Sequence, residues 1–196
     1  MSIHRFFERG PVDLPGLTTF LDGLAPAARV ATTRTLTAKE QARLFEAAKH
    51  YRRVTLDDFV PKHLPPLEEV IHHGRNSLLA FSNFQKRMCR PPPDEEGRHA
   101  DQLWGYNEQT FRWATGPGYF LTKPVDEWEV VIDYFDVPPH KPEAWPMIRP
   151  NHARLSRFVY HKTRDFMRGV SEHVSIGRAS RDGKTMDNWF VLCRDA

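Results

Sequence analysis

The chain has 196 residues, of which 40% are apolar and 27% charged, and a net charge of +3. That length suits one domain, or one domain with an N-terminal extension, and it buries enough surface to fold without staples. Acidic residues are scattered among the basic ones, with no run of five like charges and no apolar run of about 18 residues, so neither nucleic acid nor a membrane span is expected.

The opening stretch MSIHRFFERGPVDLPG lacks the apolar core of a signal peptide, which makes a cytoplasmic location the expectation. Residues 1–62 read as a helical arm. In DLPGLTTFLDGLAP, Leu17, Phe20, Leu21 and Leu24 recur at helical spacing, with Pro15 near the start and Pro26 as a stop. TAKEQARLFEAAKHYRR is the strongest helix. Thr37 and Glu40 form a capping box, in which each side chain meets an orphan backbone N–H. Ala38, Ala42, Phe45 and Ala48 form its apolar stripe, with Leu44 beside it. Thr55 caps a further turn that closes before Pro61. The arm is open to three roles: a lid, the contact of a homodimer, or simple packing.

Residues 63–196 change character. Sixteen prolines and thirteen phenylalanines punctuate the chain, which suits short strands and loops. LEEVIHHGRNSLLAFSNFQKRMCRPPP holds short apolar runs broken by Gly74 and Asn76. LWGYN and QTFRWAT are aromatic runs, and FRWATGPGYF sets four rings around a Gly-Pro-Gly turn. EWEVVIDYFDV is the clearest strand, with Trp128, Val130, Ile132 and Tyr134 on one face and Asp133 on the other. The proline-rich segment 138–151 carries Trp145 and reads as a packed lid. LSRFVYHK reads as a strand, and TRDFMRGV as a helical turn or a strand corner. EHVSIGRASRDGKTMDNWFVLCRD closes as a hairpin at Asp182-Gly183. Helices do not alternate with these strands, so the expected fold is mainly β with α: an antiparallel β-barrel or half-barrel with an N-terminal helical arm.

Nucleotide-binding glycine motifs, a GxSxG elbow and HExxH are all absent, so no cofactor is expected. The two cysteines, Cys89 and Cys193, stand alone, and the ten histidines show no ligand spacing, so no metal site is expected. His72 and His73 sit in an apolar context. On a strand they point to opposite faces, so one of them could act as a general base or anchor a ligand. Structural histidines are the plainer reading. Lys86 and Arg87 lie between Phe84 and Met88; a guanidinium at Arg87 inside a barrel would hold a carboxylate, and at a strand end it would face solvent. Trp104, Tyr106, Trp113, Tyr119 and Tyr134 are core rings or pocket walls.

The segment FVYHKTRDFMRGVSEHVSIGRASRDGKTMDNWFVLCRD resembles the closing strands of a bacterial lipocalin-like family with a Gly-x-Trp-x-Gly signature. The matching steps are Val159-Tyr160, Asp165 to Arg168, Ile176-Gly177 and Phe190 to Asp195. The signature itself is absent, and LWGYN stands nearest to it. The resemblance implies a calycin-type barrel for small apolar ligands and transfers no catalytic residue. The functional expectation is binding of a small, partly apolar or amphipathic molecule, fatty-acid-like or isoprenoid-like. Trp104, Tyr106, Trp113, Tyr119 and Tyr134 would line the site, with Arg87 or His72 at the polar head. One alternative is an isomerase, cyclase or lyase on the same barrel, with His72 or His73 as base and Asp133 or Tyr160 as partner. Another is an interaction module with a filled core.

Overall fold

The structure, a computed structural model, describes residues 2–8, 10–78, 82–94, 97, 99–109, 116–151 and 160–195. Among the described residues, eight strands form one closed antiparallel barrel in simple sequence order. They are β1 (Val70–Asn76), β2 (Asn83–Cys89), β3 (Leu103–Glu108), β4 (Phe120–Pro124), β5 (Glu129–Asp133), β6 (Thr163–Gly169), β7 (Val174–Arg181) and β8 (Lys184–Arg194). Closure comes from β1, which pairs with β2 on one side and β8 on the other. This up-and-down plan leaves no free sheet edge.

The expected barrel is therefore present, and its register shows why this sequence closes. Side chains alternate in and out along each strand. Pairing Val70 with Met88 and His72 with Lys86 puts Phe84, Lys86 and Met88 on the inner face of β2. Pairing Met88 with Gly105 and Lys86 with Asn107 carries that face into β3. The inner face continues through Phe120 and Thr122 on β4, Val130 and Ile132 on β5, and Asp165 and Met167 on β6. Gly177 and Ala179 on β7, and Phe190 and Leu192 on β8, complete the ring.

Three inward glycines make room for large neighbours. A Cβ at Gly74 would collide with the Phe84 ring, one at Gly105 with Phe120, and one at Gly177 with Met167 and Phe190. Small residues thus sit opposite rings across neighbouring strands, which is how a narrow barrel fits bulky side chains. At the β7–β8 hairpin, Asp182 and Gly183 both take positive φ, 50° and 77°. That matches the tight primed turn expected from an Asp-Gly pair.

The arm supplies helices α1 (Leu14–Asp22), α2 (Pro26–Thr33) and α3 (Ala38–Ala47), with 3-10 turns at Ile3–Phe7 and Leu56–Asp58. Asp13 caps α1 by accepting from the Gly16 N–H, and the Thr37–Glu40 capping box opens α3. Pro26 is not a terminator. It occupies the first turn of α2, where a missing N–H costs nothing. α3 buries Gln41, Leu44 and Phe45 while Ala38 stays exposed, so its buried face is rotated from the alanine stripe read in the sequence.

These helices pack on the outer face of β7 and β8. Leu17, Leu21 and Leu44 meet Val174, Ile176, Val191 and Cys193 in one core, and each leucine contributes roughly 1.5–3 kcal/mol. Past α3 the chain turns to one end of the barrel, where Val54, Phe59 and Val60 join the inner core with Val70, Met88 and Leu103. That end is plugged. The β1–β2, β3–β4, β5–β6 and β7–β8 connections lie at the opposite end.

A third cluster lies outside the barrel wall. Trp145 packs on Tyr106 and Tyr119, with ring centres 4.9 and 6.3 Å away. Its indole N–H donates to Glu69 at 2.7 Å, and Tyr119 donates to the Pro146 carbonyl at 2.6 Å. The proline-rich segment is thus packed, as its composition suggested, but along the outer wall rather than over an opening. The TRDFMRG stretch is strand β6, whereas Tyr160–Lys162 forms a turn rather than part of a strand; residues 152–159 lie outside the described set.

Candidate functional site

Lys86 projects from β2 into the lumen and is 2% exposed. Its ammonium donates to Asp165 Oδ2 at 3.1 Å, to Asn107 Oδ1 at 3.1 Å, and to the Tyr134 hydroxyl. Asp165 lies on β6, four strands from β2, so the ion pair crosses the barrel from wall to opposite wall. Tyr134 follows β5 and reaches Asp165 Oδ2 at 3.3 Å, and Asn107 Nδ2 donates to the Tyr134 oxygen at 3.1 Å. A second bond from Asn107 Nδ2 to the Gly118 carbonyl, 3.0 Å, ties the network to the turn before β4.

Aromatic rings enclose this cluster. The ammonium stands 5.0–5.7 Å from the ring centres of Phe84, Phe120, Tyr134 and Phe190, close enough for a cation–π contribution from each. Tyr160 stacks on Tyr134 at 5.3 Å and accepts from Gln109 Nε2 at 2.9 Å. Burial lowers the Lys86 ammonium below the ordinary lysine range, and the Asp165 carboxylate opposes that shift. Burial raises the Tyr134 phenol well above its usual value, and the Asp165 charge adds to the rise. A lysine, a phenol and a carboxylate held in contact away from bulk water are groups able to exchange protons.

The residues singled out by sequence fall into three groups. Tyr134, Tyr160 and His72 lie at or within the lumen. His72 faces inward, and its Nε2–H donates to the Phe59 carbonyl of the plug at 2.9 Å. Burial drives its imidazole down to about 4, so it is neutral near pH 7. Asp133, His73, Arg87, Trp104, Tyr106 and Tyr119 form the second group, on the outer wall, because each alternates with an inward residue. Asp133 accepts from Arg164 at 3.1 Å. His73 stands 3.3 Å from Arg34 and 3.4 Å from Asp195, while Arg87 pairs with Glu69 at 3.0 Å. Trp104, Tyr106 and Tyr119 belong to the outer cluster beneath Trp145. Trp113 lies outside the described residues.

Nothing in the sequence marks Asn107 as a site residue, and Asp165 enters there only as a step in the family resemblance. The missing signal was register: inward His72 places Lys86, not Arg87, in the lumen. Both cysteines are free and buried. Among the described residues no cluster of three or more His, Cys, Asp or Glu could hold a metal, and no helix is long and apolar enough to cross a membrane. Comparison with protein-family models, curated proteins and solved structures finds no match.

Proposed function

We propose that the barrel binds a small, partly apolar molecule, fatty-acid-like or isoprenoid-like, entering at the end opposite the plug, as a cytoplasmic calycin-type carrier would. The observation that carries this reading is the placement of Lys86, Asp165, Tyr134 and Asn107 on inward faces, beneath Phe84, Phe190 and Tyr160. Ligand sites pair an apolar wall with a few convergent polar groups. Here the rings take the hydrocarbon, and the polar cluster takes the head group.

Proton transfer in the same lumen is the second reading, favoured by the direct Lys86–Tyr134–Asp165 contacts. It assigns no chemistry to the imidazoles, since His72 bonds to a backbone carbonyl and His73 faces outward.

Displacement of a fluorescent fatty-acid probe tests the binding reading. Ala179 faces the lumen opposite Asp165. Ala179→Phe should weaken probe binding at least tenfold, while Arg87→Gln on the outer wall leaves it unchanged. Equal binding by both variants, each checked for intact fold by circular dichroism, would remove the ligand from the lumen.

A further inference from the structure

We propose that Lys86 is a reactive amine that forms an imine with an apolar aldehyde or ketone taken into the barrel, with Tyr134 as proton shuttle and Asp165 as counter-ion. This rests on the reading that the lumen admits a small, partly apolar molecule.

Imine formation needs four things that the lumen brings together. It needs an amine held at a fixed position, and Lys86 is held by three partners on three other wall segments. It needs an acid and base at the nitrogen, and the Tyr134 hydroxyl and Asp165 carboxylate both touch Nζ. It needs a setting that favours the neutral amine, and burial shifts Lys86 in that direction. It needs a fixed negative charge for the protonated imine, and Asp165 stays within reach across the lumen.

The step balances without an outside oxidant or reductant. Lys86 passes one ammonium proton to Asp165, and the neutral nitrogen adds to the carbonyl carbon. The carbonyl oxygen takes a proton from Tyr134, which is restored by the proton the nitrogen sheds. The C–O bond then breaks as Asp165 returns its proton, one water leaves, and the C=N bond forms. Ammonium plus carbonyl gives protonated imine plus water, and the charge is conserved. Asn107, which bonds both Lys86 and Tyr134, positions the two for that exchange.

The test incubates the full chain with cinnamaldehyde and sodium cyanoborohydride, which reduces and traps an imine, and maps the sites by peptide mass spectrometry. Lys86 should be labelled at least tenfold faster than half-buried Lys123 or exposed Lys162, and this preference should vanish in urea. Tyr134→Phe and Asp165→Asn should each slow Lys86 labelling about tenfold while leaving Lys123 unchanged. Cinnamyl alcohol, which cannot form an imine, is tested in parallel as a competitor of the fatty-acid probe. If the alcohol competes but Lys86 is labelled no faster than the surface lysines, imine chemistry is overturned and binding stands. If neither competition nor Lys86 labelling occurs, both readings fall.

Discussion

Replacing Asp165 by Asn keeps the shape of the side chain and removes its charge. Lys86, with 3% of its side chain exposed, then faces Tyr134 and Asn107 without its carboxylate. Breaking a buried ion pair by removing one partner costs about 3–5 kcal/mol, against about 0–1 kcal/mol for an exposed pair. Deprotonation sets a ceiling. Taking a lysine from an ordinary value of about 10.4 down to neutrality spans about 3.4 units, or about 4.6 kcal/mol. The expected loss is therefore about 3–4.5 kcal/mol at pH 7, a fall of roughly 10 °C in Tm for a domain of this size. Urea unfolding followed by circular dichroism measures it. The loss should be the same at 0.05 and 0.5 M salt, because a buried pair is little screened. A Lys86→Met/Asp165→Leu double variant should recover most of the stability. A loss below about 1 kcal/mol for Asp165→Asn would refute a buried pair spanning the lumen.

Three further outcomes follow from particular residues. The folded-state value of His72 is about 4, against an ordinary 6.5, so its neutral form is the one that folding favours. Its contribution is full above about pH 6.5 and is lost as pH falls toward 4, up to about 3 kcal/mol; pH-dependent urea unfolding should show that slope, and His72→Gln should flatten it. A Cβ at Gly105 meets both the Phe120 ring and the Arg87 backbone carbonyl, whereas one at Gly74 meets only the Phe84 ring among its nearest atoms. Gly105→Ala should therefore cost more than Gly74→Ala, within the roughly 1–3 kcal/mol of overpacking, and calorimetry would rank them. Burial pushes the Cys89 thiol up to about 12 and the Cys193 thiol to about 11. Neither should react with a chromogenic disulfide at pH 8 until the chain is unfolded in urea.

Much of the fold is legible in local patterns. The capping box at Thr37, the alternation through Val130, Ile132 and Tyr134, and the Asp182-Gly183 turn each state their structure within a few residues. α2 is hidden because its first residue is proline, its cap makes no side-chain hydrogen bond, and it ends in two threonines. The lumen is less legible. Inward and outward faces of neighbouring strands are related by register, and register is a long-range property. Trp104 and Tyr106 are aromatic on a buried strand, yet they face the outer wall because Trp145 covers them from a segment forty residues away. Lys86 and Asp165 are 79 residues apart and meet only because the barrel closes. Single-residue chemistry finds candidate groups, but which of them share a space depends on strand pairing.

The lumen as a container for a small molecule is tested most directly by native mass spectrometry of freshly purified chain, followed by denaturing extraction. The wild-type protein should carry an excess mass, released on unfolding and matching a small apolar or amphipathic molecule. The same excess should be absent from Ala179→Phe. An excess retained undiminished by that variant, or a bare polypeptide mass together with failure to bind the fatty-acid probe, would contradict it.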